Sequence, residues 1–115
     1  ATAITAGDAH TCAILDNSAI KCWGLNDSGQ LGQGNTINLG DNANEINPSS
    51  KIVDLGAGRT VGGIAAGDDY TCAVLDNASI KCWGGNAFGQ LGLGDDSTRG
   101  DESGEMGDSL PVIGL

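Results

Sequence analysis

Residues 12–34 read CAILDNSAIKCWGLNDSGQLGQG, and residues 72–94 read CAVLDNASIKCWGGNAFGQLGLG. Each stretch has two short apolar runs on either side of an Asp-Asn turn, followed by a glycine-rich loop. Apolar and β-branched runs around Asp and Asn are typical of a β-hairpin. The second stretch begins 60 positions after the first, so the sequence predicts a fold built from a repeated hairpin.

The repetition extends over nearly the whole chain. Residues 1–55 align with residues 61–115 without a gap, and 26 of the 55 positions are identical. We assign residues 1–55 to a first repeat, 56–60 to a linker and 61–115 to a second repeat. The chain has 20 glycines, and an interior glycine costs a helix about 1 kcal/mol relative to alanine. Each repeat is therefore predicted to be all-β, with a last strand over residues 51–55 and 111–115.

The four cysteines form two equally spaced pairs, Cys12 with Cys22 and Cys72 with Cys82. If a three-residue loop closes each hairpin, the two cysteines of a pair stand opposite each other, within the Cα separation that a disulfide requires. We therefore predict two disulfides, and with them an extracellular or cell-surface protein. Zinc is the weaker alternative, because zinc-binding cysteines are usually about two to four residues apart and His10 is the only histidine.

The charge and hydropathy of the chain limit its partners. Five basic and 15 acidic residues leave a formal net charge of −10, whereas nucleic-acid binding depends on clustered Lys and Arg. We therefore expect no nucleic-acid partner. No apolar run approaches the roughly 20 residues that span a bilayer, so we also expect no membrane insertion.

Residues 95–108 carry the densest group of carboxylates in the chain. Carboxylate oxygens are calcium ligands, but counting from Asp95 places Arg99 and Met106 at the fifth and twelfth positions of an EF-hand loop, where ligands are required. We interpret the segment as a solvated acidic loop and keep calcium as the alternative. No other cofactor is expected.

Two Asn-x-Ser tripeptides are candidate N-glycosylation sites. They begin at Asn26, in the glycine-rich loop, and at Asn77, in the hairpin turn. Asn47 is excluded because proline follows it. The tripeptide at 99–101 reads Arg-Gly-Asp, a cell-attachment motif, but an acidic glycine-rich loop also yields it by chance, and it is absent from the first repeat.

Nothing in the sequence indicates catalysis. There is no Ser/His/Asp constellation, His10 is replaced by Tyr70 in the second repeat, and the cysteines are better explained as disulfides than as nucleophiles. The carboxylates stand on loops, where no apolar pocket is evident to shift a pKa. We therefore predict no catalytic residues and a protein that is not an enzyme.

The motifs TCA[IV]LDN, IKCWGxN, GQLGxG and GD occur in this order in both repeats. In this pattern the chain resembles the regulator-of-chromosome-condensation repeat family, and most closely its cysteine-containing secreted bacterial branch. The resemblance implies a β-propeller in which each repeat is a four-stranded antiparallel blade. It does not extend to the guanine-nucleotide exchange and chromatin binding of the founding member, because nothing here resembles that protein's exchange loops.

Large apolar side chains at equivalent positions are predicted to pack between blades. They are Trp23 and Leu31 in the first repeat, and Trp83 and Leu91 in the second. A buried tryptophan combines a large apolar surface with an N–H group that needs a partner. The alternative for the two tryptophans is a platform on which a sugar stacks.

Two blades cannot close a propeller within this chain. A repeat buries its apolar faces only against its neighbours, so two repeats leave two exposed outer faces. The chain also starts and stops at nearly the same phase of the repeat. We predict a non-enzymatic structural or interaction module that assembles head to tail with other copies or further blades, as a ring or a filament. The alternative is a ligand-recognition segment of a larger propeller, with a protein or a glycan as its partner.

Overall fold

A computed structural model describes residues 1–43, 45–46 and 51–114. Within these residues, each repeat forms one antiparallel sheet of three strands. No helix there has the length and hydrophobicity of a membrane span. The elements are β1 (Ala3–Ala6), β2 (His10–Ile14) and β3 (Ile20–Gly24) in the first repeat, and β4 (Val61–Ala66), β5 (Tyr70–Leu75), β6 (Ile80–Gly84) and a short 3-10 helix (Gly107–Ser109) in the second.

The hairpin of each repeat has the predicted register. Cys12 stands opposite Cys22. Leu15 donates its N–H to the carbonyl of Ala19, which extends the hairpin by one pair and leaves a three-residue loop, 16–18. In the loop of the first hairpin, Ser18 has a positive φ of 64°. The side-chain oxygen of Asn17 accepts the N–H of Ala19. A three-residue hairpin loop needs a left-handed residue after its type I turn, so Asn17 caps the turn and Ser18 completes it.

Both cysteine pairs are disulfides in the structure. The Cα atoms of Cys12 and Cys22 are 4.1 Å apart, and those of Cys72 and Cys82 are 4.0 Å apart. Each bridge links directly opposite residues of a hairpin. Oxidised sulfurs supply no thiolate for zinc, so the disulfides account for all four cysteines.

The fourth strand that was predicted for each blade is not formed. Residues 51–55 and 111–114 have no strand conformation, and Leu115 lies outside the described residues. Each sheet therefore has three strands within the described part of the chain. The prediction of two all-β, antiparallel repeats is confirmed, but the fourth strand requires correction.

Two short segments share the edge of β3 that a fourth strand would occupy. Val53 donates its N–H to the carbonyl of Ile20 at 2.9 Å, and Leu39 exchanges two backbone hydrogen bonds with Gly24. Because this edge is divided between two separate loops, neither segment runs beside it long enough to form a ladder. The edge of β6 in the second repeat has the same arrangement.

Alternation of side chains along the strands gives each sheet two different faces. We name the side with the two cysteines the Cys face; in the first repeat it also carries Ile14 and Ile20. The opposite side is the Trp face, which carries Trp23 in the first repeat and Trp83 in the second.

The hydrophobic core lies between the Cys face of the first repeat and the Trp face of the second. Strand β4 contacts β1 and β2 across this interface. Tight burial on both sides shows that the two sheets form one core rather than two. The buried side chains are Cys12, Ile14, Ile20 and Cys22 from the first repeat, and Ala73, Leu75 and Trp83 from the second.

Candidate functional site

The interface between the two repeats centres on the backbone carbonyl of Gln30. Trp83 is wholly buried there, and its indole Nε1 donates a hydrogen bond of 3.0 Å to this oxygen. The hydroxyl of Thr71 donates a second hydrogen bond of 3.0 Å. One carbonyl of the first repeat thus accepts from two side chains on the Trp face of the second.

Within residues 28–34 of the glycine-rich loop, two glycines of the first repeat approach the second repeat too closely to carry a side chain. A Cβ at Gly29 would lie 2.5 Å from a backbone nitrogen of the second repeat, and one at Gly32 would lie 2.8 Å from the indole nitrogen of Trp83. Both glycines also have positive φ, 75° and 68°. In the equivalent loop, residues 88–94, the nearest atom to a Cβ at the position matching Gly29 is 3.9 Å away.

Leu31 and Leu91 anchor the two glycine-rich loops. Both are wholly buried, although the loop around Leu91 has no further repeat against it. The N–H of each leucine donates to the side-chain oxygen of a buried asparagine, Asn26 or Asn86. Leu91 is therefore buried by its own repeat and not, as predicted, by a neighbouring blade.

Asn26 is a buried structural residue rather than a glycosylation acceptor. Its side chain is wholly buried, and its Nδ2 donates to the backbone carbonyls of Asn35 and Ile37, both at 3.0 Å. A glycan requires an accessible Nδ2, so the folded structure contradicts the prediction at this site. Asn77 is exposed in its hairpin turn, where its Oδ1 accepts the N–H of Ser79, and it stays a predicted acceptor.

Lys81 ties the end of the first repeat to a loop of the second. Its buried ammonium donates to the carbonyls of Leu55 at 3.1 Å and Gly107 at 2.9 Å. Gly107 in turn donates its N–H to the carbonyl of Asp54. Hydrogen bonds from a charged donor are stronger than neutral ones. Lys81 belongs to the repeated IKCWGxN motif, but the motif does not indicate this role, because the acceptors are backbone atoms of distant segments.

His10 is buried at the interface in a defined tautomer. Its Nε2 lies 2.9 Å from the hydroxyl oxygen of Thr71, and because this hydroxyl donates its own proton to Gln30, the imidazole donates through Nε2–H. Nδ1 is then an acceptor, and it is buried without a hydrogen-bond partner among the described residues. Burial lowers the pKa of His10, and the backbone of Tyr70 and the charge of Asp69 offset this only in part.

Two of the carboxylates considered as calcium ligands are engaged within their own loop. The Oε1 of Glu105 accepts the N–H groups of Gly100 and Glu102, both at 3.0 Å, and burial raises the pKa of Glu105. Asp95 pairs with Arg99 at 2.9 Å, which lowers the pKa of Asp95 and engages the arginine of the Arg-Gly-Asp tripeptide. Within the described residues, no group of three or more His, Cys, Asp or Glu side chains is placed to hold a metal ion.

The Trp face of the first repeat is partly exposed to solvent. Ile4 is 69% exposed, whereas the equivalent Ile64 packs against the core. Trp23 is half-buried, whereas Trp83 is wholly buried. The residue types are the same at both positions, so the difference arises from the presence of a neighbouring sheet on one side only.

The Cys face of the second repeat is exposed in the complementary way. Val74 is 42% exposed, whereas the equivalent Ile14 is 4% exposed. With Cys72 and Ile80, Val74 lines an open apolar depression of about 340 Å³. The glycine-rich loop of the same repeat carries Phe88, which is 94% exposed. The first repeat thus exposes a Trp face and the second repeat exposes a Cys face, the two kinds of surface that form the internal interface.

Segments of both repeats match models of a known protein family. Two models described as the Regulator of chromosome condensation (RCC1) repeat match this chain, one over residues 1–30 and 63–90 and the other over residues 22–74. The chain is also 33% identical over 96 residues to the ultraviolet-B receptor UVR8 of Arabidopsis thaliana. That match covers 84% of this chain and 20% of the receptor.

Solved structures agree on the fold. The crystal structure of human WBSCR16 matches with a TM-score of 0.67 at 21% identity, over 96% of this chain and 25% of that one. Yeast RCC1 (Prp20), crystallised with Kap60, matches with a TM-score of 0.61 at 22% identity, over 98% of this chain and 25% of that one. The structural neighbours are β-propellers. The chain has the fold of propeller blades, and it spans about a quarter or less of these relatives.

Proposed function

The chain belongs to the regulator of chromosome condensation (RCC1) repeat family, and on this premise we propose that it is a non-enzymatic β-propeller segment that assembles head to tail with further blades. The observation that carries the proposal is the pair of unlike exposed faces. A Trp face is open on the first repeat and a Cys face on the second, and the internal interface joins these same two kinds of face.

The polar contacts of the internal interface can recur between copies. Thr11 and Trp23 repeat the two side-chain donors of that interface, and Gln90 repeats its acceptor, Gln30. A second copy placed in the internal geometry would bring the Thr11 hydroxyl and the Trp23 indole to the carbonyl of Gln90. The contact that holds the two repeats together would then also hold two copies together.

The apolar contacts support the same arrangement. In the internal geometry, Ile4 of one copy would meet the depression beside Val74 of the next, as Ile64 meets the core of the first repeat. Burying one large aliphatic side chain contributes about 1.5–3 kcal/mol. Covering Ile4, Val74 and the exposed part of Trp23 therefore supplies a driving force for association.

We also propose residues 1–55 and 61–115 as the two blades, joined by residues 56–60, and an extracellular or cell-surface location. The two disulfides support this location, because such bridges persist in oxidising compartments. The net charge of −10 is consistent with a soluble surface around the interface.

Sedimentation equilibrium of the complete chain tests the proposal. We expect masses that are multiples of 11.5 kDa and that rise with concentration, and rings or filaments in negative-stain images. Trp23→Ala should shift the equilibrium toward the monomer, because it removes a donor and apolar surface from the exposed Trp face. Ile37→Ser is the matched control. Ile37 and its equivalent Ser97 are both exposed, although one face of each repeat is covered by the other repeat, so this position lies outside the internal interface.

Two results would contradict this proposal. One is a monomer of 11.5 kDa at every concentration. The other is an assembly that is as stable with Trp23→Ala as with Ile37→Ser. Circular dichroism of the diluted variants checks that each retains the fold.

A protein-binding segment of a larger propeller is the second candidate. It is favoured by the solved relatives, since yeast Prp20 was crystallised with Kap60 and its structure is described with its binding to Gsp1p and histones. Those partners belong to Prp20. For this chain, the candidate predicts a monomer that binds a protein or a glycan, so the sedimentation experiment separates the two candidates and a glycan array tests the carbohydrate alternative.

A further inference from the structure

We propose that the interface between copies has its own recognition pair, Phe88 of one copy against Ala9 of the next, and that the partner of the exposed Cys face is therefore a second copy of this chain. The inference rests on the proposed function, because the two copies must meet in the geometry of the internal interface. It adds the residues that make this contact different from the internal one.

The corresponding pair of the internal interface is polar. Ser28, at the tip of the glycine-rich loop, directs its hydroxyl to Oδ2 of Asp69 across 3.5 Å, in partly buried surroundings. Asp69 lies in the turn before β5. A carboxylate that loses water at an interface needs another polar neighbour, and Ser28 supplies one.

The backbone places Phe88 where Ser28 stands in the first repeat. The N–H of Ser28 donates to Oε1 of Gln30 at 2.9 Å, and the N–H of Phe88 donates to Oε1 of Gln90 at 2.9 Å. The glycines that follow have φ of 75° and 73°. The two loop tips have the same conformation, so Phe88 presents its ring from the position that Ser28 uses to reach the next repeat.

The backbone likewise places Ala9 where Asp69 stands in the second repeat. The carbonyl of Ala9 accepts the N–H of Leu25 at 2.9 Å, and the carbonyl of Asp69 accepts the N–H of Gly85 at 2.9 Å. Ala9 is exposed, at the margin of the exposed Trp face. In a head-to-tail contact that repeats the internal geometry, Phe88 of one copy therefore faces Ala9 of the next.

The two positions of the pair are both polar in the internal interface and both apolar in the contact between copies. The internal pair joins a hydroxyl to a carboxylate, and the pair between copies joins an aromatic ring to a methyl group. A crossed pairing is unfavourable, because Phe88 would displace water from Asp69 without replacing its hydrogen bonds. Unfavourable wrong pairs create specificity as effectively as favourable right ones. The surface that fits the exposed ring of Phe88 is thus present on the chain itself.

The recognition pair is tested by substitutions that convert Phe88 and Ala9 into the residues of the internal pair. Sedimentation of the full chain is measured for Phe88→Ser, Ala9→Asp and the double variant F88S/A9D. Each single change should weaken self-association roughly ten- to a hundred-fold, the range expected for losing the burial of one aromatic side chain. The double variant recreates the internal Ser–Asp pair and should associate more tightly than either single variant. Ile37→Ser should associate like the unchanged chain.

Mixing the two single variants provides a stricter measurement. In an equal mixture, alternating F88S and A9D copies create one Ser–Asp contact and one Phe–Ala contact in turn, so association should recover without any further substitution. Both positions are exposed in the single chain, so the melting temperatures of diluted variants should match that of the unchanged chain.

The possible failures are distinguishable. The recognition pair is wrong, and head-to-tail assembly stands, if the unchanged chain associates and both single variants associate as strongly as it does. The same conclusion follows if the single variants are weakened but neither the double variant nor the mixture recovers association. If the unchanged chain is monomeric at every concentration, both the recognition pair and the proposed function are wrong.

Discussion

The indole of Trp83 and the backbone carbonyl of Gln30 form a 3.0 Å hydrogen bond that joins the two repeats. The indole is wholly buried, whereas Trp23, at the same position of the first repeat, is half-buried. The environment of this tryptophan is therefore completed by the preceding repeat, and the chain provides that repeat for only one of its two tryptophans.

Trp83→Ala should lower the free energy of unfolding by about 3–5 kcal/mol, the usual cost of truncating a buried aromatic side chain. Trp83→Phe keeps much of the apolar volume, and its loss of the hydrogen bond to Gln30 should cost on the order of 1 kcal/mol. Urea denaturation at low protein concentration measures both changes. Trp23→Ala is the control and should cost less, because that indole is already partly exposed; equal losses at the two tryptophans would refute the asymmetry.

Gly29→Ala should destabilise the fold more than Gly89→Ala. Both glycines have nearly the same positive φ, 75° and 73°, so alanine adds about 1–2 kcal/mol of backbone strain at either position. Only at Gly29 would the new methyl group lie 2.5 Å from a backbone nitrogen of the other repeat. The difference between the two melting temperatures isolates this steric conflict, and indistinguishable values would show that the loop tolerates a side chain there.

The stability of the fold should decrease in mild acid through His10. Burial lowers the pKa of His10 in the folded chain below its ordinary value of 6.5, so the unfolded chain takes up the proton first as the pH falls. The stabilising effect of the neutral imidazole is therefore complete above pH 6.5 and is lost as the pH falls from there toward the folded pKa. Melting temperatures between about pH 8 and pH 5 measure this decrease.

His10→Gln provides the control for this pH dependence. Glutamine can donate a neutral hydrogen bond to Thr71 but does not titrate, so the variant should lack the decrease just below pH 6.5. Carboxylates such as Asp95, whose pKa is lowered by its hydrogen bond with Arg99, act at lower pH in both proteins. A variant with the same decrease as the unchanged chain would exclude His10 as its cause.

The disulfide between Cys72 and Cys82 should be reduced before the one between Cys12 and Cys22. Cys12 is wholly buried between the repeats, whereas Cys72 lines the exposed depression of the second repeat. Timed alkylation with peptide mass spectrometry during mild reduction gives the order. Loss of either bridge should cost about 2–3 kcal/mol through loop-closure entropy. Faster reduction of the buried pair would show that accessibility does not control the reaction.

The hairpins and their two faces were predictable because both are local properties. The spacing of Cys12 and Cys22 implied their pairing, and alternation along the strands implied which side chains share a face. The roles of Asn26 and Leu91 were not predictable in this way. The side chain of Asn26 is held in the interior by hydrogen bonds to the backbone carbonyls of residues 35 and 37. Every residue has a backbone carbonyl, so the amino-acid sequence does not show which ones accept these bonds.

The fourth strand shows the same limit. Residues 51–55 have the composition of a strand, but strand formation requires an edge that is free along its length. The edge of β3 is already occupied at one end by Leu39, which only the folded arrangement of the loops reveals.

The sequence by itself determined the repeated β-hairpin, the register of its strands, the pairing of the cysteines and the family. Only the tertiary structure decided which copy of each repeated residue is buried, Trp83 and not Trp23, and Ile14 and not Val74. The physical reason is that turns and strands depend on contiguous residues, whereas burial depends on a neighbouring sheet. Each repeat has such a neighbour on one side, and the chain leaves the matching half of that contact exposed at its other end.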